Sequence, residues 1–343
     1  MQEQSNPLAR HPGFRRTFEA EALTLGFILP LEGYPDSPAP TMRDHAELTR
    51  LADELGFAAL WARDVPSYDP TFGDTGQVFD PFVYLGFLAA NTKRIAIGTA
   101  ATVITLRHPV HVAKQAATVD VLSDGRMLLG VASGDRPLEY PLFGIDHDFD
   151  MRGERFQEAL AMIRMAGEQS FPRGRFERFG TFEGNLDVLP KPTVGVLPTV
   201  VVGRSRQELP WLAEHADAWM YYFVDQHKTQ LIAQAWREAV QAVAPGVFKP
   251  FAQGLFFDLL EDPDAPVRPI HSGMAAGRHT LIRHLEVLRS VGVNHVALNL
   301  KASRRPVREV LEELGAYVVP AFPCRDDDQG LHRSAKPSVP AFE

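Results

Sequence analysis

At 343 residues, with 45% hydrophobic and 23% charged residues, the chain has the composition of an ordinary globular protein and the length of one large domain. Its formal net charge of −8 argues against a nucleic-acid role, which needs a basic face. One cysteine, no apolar run near the ~18 residues of a membrane span and no apolar leader at the N-terminus give the expectation of a cytoplasmic protein without membrane contact.

Residues 1–22 are polar and irregular, and read as an arm outside the body. An apolar run at 23–29 is the first buried strand, followed by a loop with Gly33 and three prolines. Thr41 is placed to cap a helix running to Leu55, with Gly56 as its stop. A second strand at 57–62 runs into Arg63, Asp64 and a long loop at 65–79; loops of that length are often functional. Asp80 caps a helix at 81–91. Residues 95–104 form a third strand rich in small side chains. A helix at 108–122 with Val112, Ala116 and Val119 on one face leads to a fourth strand at 127–132, which stops at Ser133-Gly134-Asp135. Strands without polar alternation are normally buried on both faces, and two joined by a helix make a parallel βαβ unit.

A loop at 136–150 precedes a helix at 152–166. Residues 169–197 break the rhythm with glycine, proline and aromatic residues, and read as an insertion with a short hairpin, either a lid or a plain surface excursion. Strands at 199–202, 218–224 and 251–260 alternate with helices at 207–215 and 226–243, and a proline-rich loop covers 261–272. A helix at 278–291, a last strand at 295–300, a final helix at 306–319 and a tail at 323–343 complete the chain. Eight alternating strand–helix units predict an α/β protein of the (β/α)8 TIM-barrel type, with an insertion near 169–197. The barrel domain then spans 23–322, between the arm and the tail. No GxGxxG opens a helix after the first strand, which lowers the open-sheet dinucleotide alternative.

Barrels of this kind gather their ligands where the strands end. There the second strand offers Arg63 and Asp64, the third Thr99 and Thr102, the fourth Ser133 and Gly134, and the fifth Gly203, Arg204 and Ser205. A glycine, a positive charge and a hydroxyl ahead of a helix suit a phosphate. A serine cap beside a surface arginine would read the same way. Ala100 and Ala101 give up volume in a strand that normally carries large side chains, which leaves room for a flat ligand or for large neighbours. Trp219, Tyr221, Tyr222 and Phe223 would divide by alternation between core and ligand wall. His108 and His111 flank the start of a helix at Pro109 and read as capping or surface residues, and no HExxH, CxxC or GxSxG appears. Asp146, Asp148 and Asp150 read as a solvated loop.

Several segments together resemble a known family. GTAATVITLRHPVHVAKQAATVDVLSDGRMLLGVASGD, preceded by LGFAALWARD and DPFVYLGFLAANTKRIAIGT and followed by LFGIDHDFDMRGERFQEAL and VVGRS, is similar to the core of the bacterial-luciferase-like, flavin-dependent oxidoreductases. GVNHVALNL and LGAYVVPAF extend the resemblance to residues 23–322. It implies a TIM barrel that binds reduced FMN, works as a homodimer and inserts oxygen into a small organic substrate. A separate flavin reductase would feed it, since no second nucleotide-binding domain is visible.

Residue by residue, the resemblance implies a non-prolyl cis peptide at Ala100-Ala101 against the flavin, with Thr102 beside it. It also implies Gly203, Arg204 and Ser205 around the flavin phosphate, and Ser133 and Gly134 at another wall. Arg63 and Asp64 are candidates to face the ring or substrate, a structural Arg–Asp pair being the alternative. The luciferases proper carry a histidine where this chain has Asp64-Val65-Pro66, which speaks against light emission, and an acidic residue where Arg204 stands. Two other readings stand: a hydride-transfer oxidoreductase using the deazaflavin F420, and a noncatalytic flavin-binding barrel.

Overall fold

Each of the eight apolar runs becomes a strand, and all are largely buried on both faces except at the end of the sixth, where Tyr222 is exposed. In the computed structural model, which describes residues 7–72 and 74–325, these are β1 (Thr24–Ile28), β2 (Ala59–Ala62), β3 (Ala96–Thr99), β4 (Met127–Ala132), β5 (Thr199–Val202), β6 (Ala218–Tyr222), β7 (Phe251–Leu259) and β8 (His295–Asn299). All pair in parallel in sequence order, and β8 returns to β1 with Phe27 opposite Leu298, so the sheet closes into the expected barrel. The β3–β4 pairing lapses after Gly98 and resumes at Thr102–Val103, on either side of a cis peptide between Ala100 and Ala101.

Helices α1 (Pro12–Thr17), α2 (His45–Glu54), α3 (Pro81–Asn91), α4 (Pro109–Leu122), α5 (Arg152–Glu168), α6 (Leu209–His215), α7 (Gln226–Val243), α8 (Arg278–Ser290) and α9 (Val307–Tyr317) surround the barrel, and a one-turn helix at Glu139–Leu142 follows β4. Asp80 caps α3 by accepting the amides of Phe82 and Val83, and His108 caps α4 by accepting that of Val110. Thr41 does not cap α2, which starts at His45. The Thr41 and Met42 amides go instead to the Glu32 carboxylate.

The stretch expected as a polar arm is partly structural. Residues 7–10 form a short 3-10 turn, and α1 drives Phe14 under the N-terminal end of the barrel, with Phe18 just beyond it. There they meet an interior built from Ala59, Ala96, Ala218, Ala252 and Ala297 around Trp61 and Leu128. Small side chains dominate this layer because Trp61 and the two phenylalanines fill it, at a packing density that leaves no room for more branched residues. Residues 1–6 and 326–343, with most of the expected tail, lie outside the described residues.

The expected hairpin pairs Arg173–Phe176 with Gly180–Glu183. Its tip lies against the first turns of α4 and α5, where the Phe179 carbonyl meets His108 Nε2 and Arg155 stacks on the Phe179 ring at 4.5 Å. The proline-rich loop is shorter than expected, since Arg268–Ile270 folds back on Gly273–Ala276, which adds to the edge of β7. Among the described residues no helix is long and apolar enough to cross a membrane.

Candidate functional site

The strand ends converge on a mouth with two connected chambers, of about 370 and 240 Å³, that share Arg63, Ala100, Val202, Tyr221 and Tyr222. A larger hollow of about 650 Å³ lies at the opposite end, beside Trp236 and Asn294. Two of its three basic groups are spent on backbone carbonyls, Arg237 on Val291 and Lys249 on Ala213, and the third, Arg289, lies over the Phe322 ring. The candidate site is therefore the mouth.

Eight of the ten residues singled out in the sequence line the larger chamber: Arg63, Asp64, Ala100, Ala101, Ser133, Gly134, Arg204 and Ser205. The other two, Thr102 and Gly203, do not. Thr102 is buried and donates to Thr99 Oγ1, which in turn donates to the Gly130 carbonyl, so it braces the end of β3. Gly203 (φ +65°) donates its amide to Met220 and accepts from Trp219 Nε1 at 2.7 Å. A Cβ there would stand 2.5 Å from the Tyr222 hydroxyl, so glycine is what lets Tyr222 close in.

The Arg–Asp pairing is present, but the partners are exchanged. Arg63 binds Asp74 at 2.7 Å, while Asp64 takes Arg107 in a two-pronged grip, Nε and Nη2 each at 2.8 Å. Asp64 Oδ2 also accepts the Val103 amide. With three N–H groups on its two oxygens, Asp64 is a positioning residue that fixes the strand end beside Ala100 and Ala101. The two carboxylates on Arg107, Asp64 and Asp80, raise its pKa further against the opposing effect of burial.

Ser133 and Gly134 carry the fourth wall. The Ser133 carbonyl accepts from Thr105 Oγ1 and the Tyr140 hydroxyl, and Gly134 (φ +73°) sits where a Cβ would press Val103 at 2.7 Å. At the rim, Gly203, Ser205 and Arg206 all have positive φ, so three of the four residues after β5 turn in the left-handed region. This brings Arg204, Ser205 and Arg206 to one edge of the chamber, and Arg152 from the start of α5 joins them. Arg152 is held by stacking on Phe149 at 3.9 Å and by donating to the Phe149 carbonyl, yet its buried Nε has no partner among the described residues.

Sequence reasoning passed over Arg152, Arg206, Arg136 and Glu139. Arg152 was visible only as the first residue of a helix, and Arg136 and Glu139 lay in a loop without periodicity. Burial pushes the Glu139 carboxyl up to about 7, against the pull of Arg136.

These features can accommodate a flavin-type cofactor. Three arginines and a hydroxyl at one rim supply what a phosphate needs. The alanine floor admits a flat ring, and the second chamber, walled by Ile28, Met220, Leu255 and Phe256, is apolar enough for an organic substrate.

The family model for luciferase-like monooxygenases matches residues 24–265. Among curated relatives, the oxygenase component of a flavin-dependent trigonelline monooxygenase from Acinetobacter baylyi is 29% identical over 136 residues, 40% of this chain and 35% of that one. An F420-dependent glucose-6-phosphate dehydrogenase from Beutenbergia cavernae is 38% identical over 130 residues, 37% of this chain and 38% of that one. The chain thus spans well under two thirds of these relatives. The fold is shared with an F420-dependent secondary alcohol dehydrogenase, at a TM-score of 0.71 and 19% identity over 88% of this chain and 99% of that one.

Proposed function

The chain belongs to the luciferase-like monooxygenase family, and from that premise we propose that it uses reduced FMN and oxygen to oxidise a small organic substrate, with a separate reductase supplying the reduced flavin. The observation that carries this reading is the continuity of three parts in one mouth: the arginine rim, the alanine floor and the apolar second chamber. The named activity of the Acinetobacter relative, an oxygenase component, supports a partner reductase.

Reduced FMN, when bound, supplies the electrons and the reactivity toward oxygen. The chain's own residues bind, orient and exclude water. Arg152, Arg204, Arg206 and Ser205 hold the phosphate. Ala100 and Ala101 let the ring lie against backbone, and Ser133 and Gly134 close the adjacent wall. Gly203 and Thr102 act behind them, as supports of Tyr222 and of the end of β3. Arg63 stands between the chambers and faces substrate, and Phe72, Tyr221 and Tyr222 keep solvent out.

Assembly belongs to the same reading. Helix α3 and the turn before it expose Phe79, Val83 and Phe87 around His45, an apolar face suited to a second copy of this chain.

A second reading, hydride transfer with F420, draws on the Beutenbergia relative, and the same arginine rim would serve its phosphodiester. Mixing FMNH2-loaded protein with oxygen separates the two. A monooxygenase site that excludes water should release hydrogen peroxide roughly tenfold more slowly than free FMNH2 does. Release as fast as from free FMNH2 would count against the oxygenase reading.

A further inference from the structure

One buried pair at the mouth has no part in holding the phosphate or the ring. Arg136, on the loop after β4, and Glu139, which opens the one-turn helix that follows it, are only 6% and 3% exposed, and both line the larger chamber. Arg136 Nη1 and Glu139 Oε1 stand 3.9 Å apart, too far for a hydrogen bond, and neither atom has another partner among the described residues. The rest of the arginine is fixed, stacked on Phe72 at 4.3 Å and donating from Nη2 to the Asp74 carbonyl at 3.3 Å. A buried donor and acceptor left unpaired side by side are costly, and a ligand with complementary groups would satisfy both.

We propose that Arg136 and Glu139 together bind the polar handle of the substrate, an uncharged group with an acceptor next to an N–H donor, such as a primary carboxamide or a lactam. Nη1 of Arg136 donates to the handle's carbonyl, and Oε1 of Glu139 accepts its N–H. This rests on the monooxygenase reading of the mouth and names a substrate class for it. Charge disfavours a carboxylate handle. Glu139 faces Asp64, Asp135 and Asp69 as well as Arg136, so a further anion would add to a local excess of acids. Asp64 is itself engaged by Arg107, and Arg63 by Asp74, which leaves Arg136 the cation closest to Glu139. The body of the substrate then occupies the apolar chamber beside Met220, Leu255 and Phe256.

Benzamide, N,N-dimethylbenzamide and benzoate are suitable probes, titrated by calorimetry into the protein with and without bound FMN. Benzamide should bind about tenfold tighter than either of the others. Glu139→Leu should abolish that preference while FMN affinity stays within about twofold. Glu139→Gln, which keeps shape and an acceptor, should retain the preference. In the native protein benzamide binding should strengthen as pH rises through about 7, and Glu139→Gln should lose that pH dependence. Equal binding of the three probes, or no benzamide binding, overturns the proposal. So does an equal loss of FMN and benzamide affinity in Glu139→Leu, which would make the pair a cofactor contact. A benzamide preference without any FMN binding would uphold the pair and overturn the cofactor reading instead.

Discussion

Asp64 holds Arg107 through both carboxylate oxygens, and through one of them also holds the Val103 amide, so a single side chain joins the end of β2 to the segment that follows the Ala100-Ala101 peptide. Arg107 carries the link on to Asp80, the cap of α3. The floor of the mouth is thus set by charge-assisted hydrogen bonds rather than by apolar packing alone.

Asp64→Asn keeps the shape and removes the charge. It should destabilise the protein by ~1.5–3 kcal/mol in urea unfolding and weaken flavin binding, with no new pH dependence. Adding Arg107→Gln should cost less than the two single changes combined, because both break one interaction. Full additivity would contradict the link.

Arg204 provides the clearest test of the rim. Arg204→Ala should weaken FMN by ~1.5–3 kcal/mol and affect riboflavin far less, since only FMN carries the phosphate. Equal losses for the two ligands, measured by fluorescence quenching, would remove the phosphate assignment.

Ala101 lines the chamber, and a larger side chain there would occupy ligand space. Ala101→Leu should abolish flavin binding with little change in thermal stability. A loss of ~1–3 kcal/mol in the flavin-free protein would show that the site is packed core instead.

Acid stability should depend on His295. Its Nε2 accepts from Trp61 Nε1 at 2.9 Å, so Nδ1 carries the proton and donates to Thr24 Oγ1, whose own proton goes to the Thr17 carbonyl. Burial holds this imidazole neutral and lowers its pKa from 6.5 to about 3. The unfolded chain binds a proton in that window and the folded chain does not. The stability is therefore complete above pH 6.5 and falls as pH drops toward 3. His295→Gln should flatten that limb of the stability–pH curve; an unchanged limb would place the acid sensitivity elsewhere.

The barrel was legible because its strands are apolar on both faces, a pattern that survives in any order of reading. The caps at Asp80 and His108 were legible for a local reason, since each sits immediately before a helix that opens with proline. Helix α1 was not, because six residues with one well-buried phenylalanine show no period, and only the open end of the barrel gives Phe14 somewhere to go. Arg63 and Asp64 were found as neighbours, yet their partners Asp74 and Arg107 come from loops that only the fold brings together. Arg136 was hidden for the same reason, since Phe72 from a distant loop stacks on it.

The most direct test of the account is a pair of anaerobic titrations of the same protein, one with FMNH2 and one with reduced F420. The arginine rim and alanine floor should give FMNH2 a micromolar or tighter Kd, about −8 kcal/mol, and F420 a weaker one. Tight binding of reduced F420 with none of FMNH2 would contradict the account.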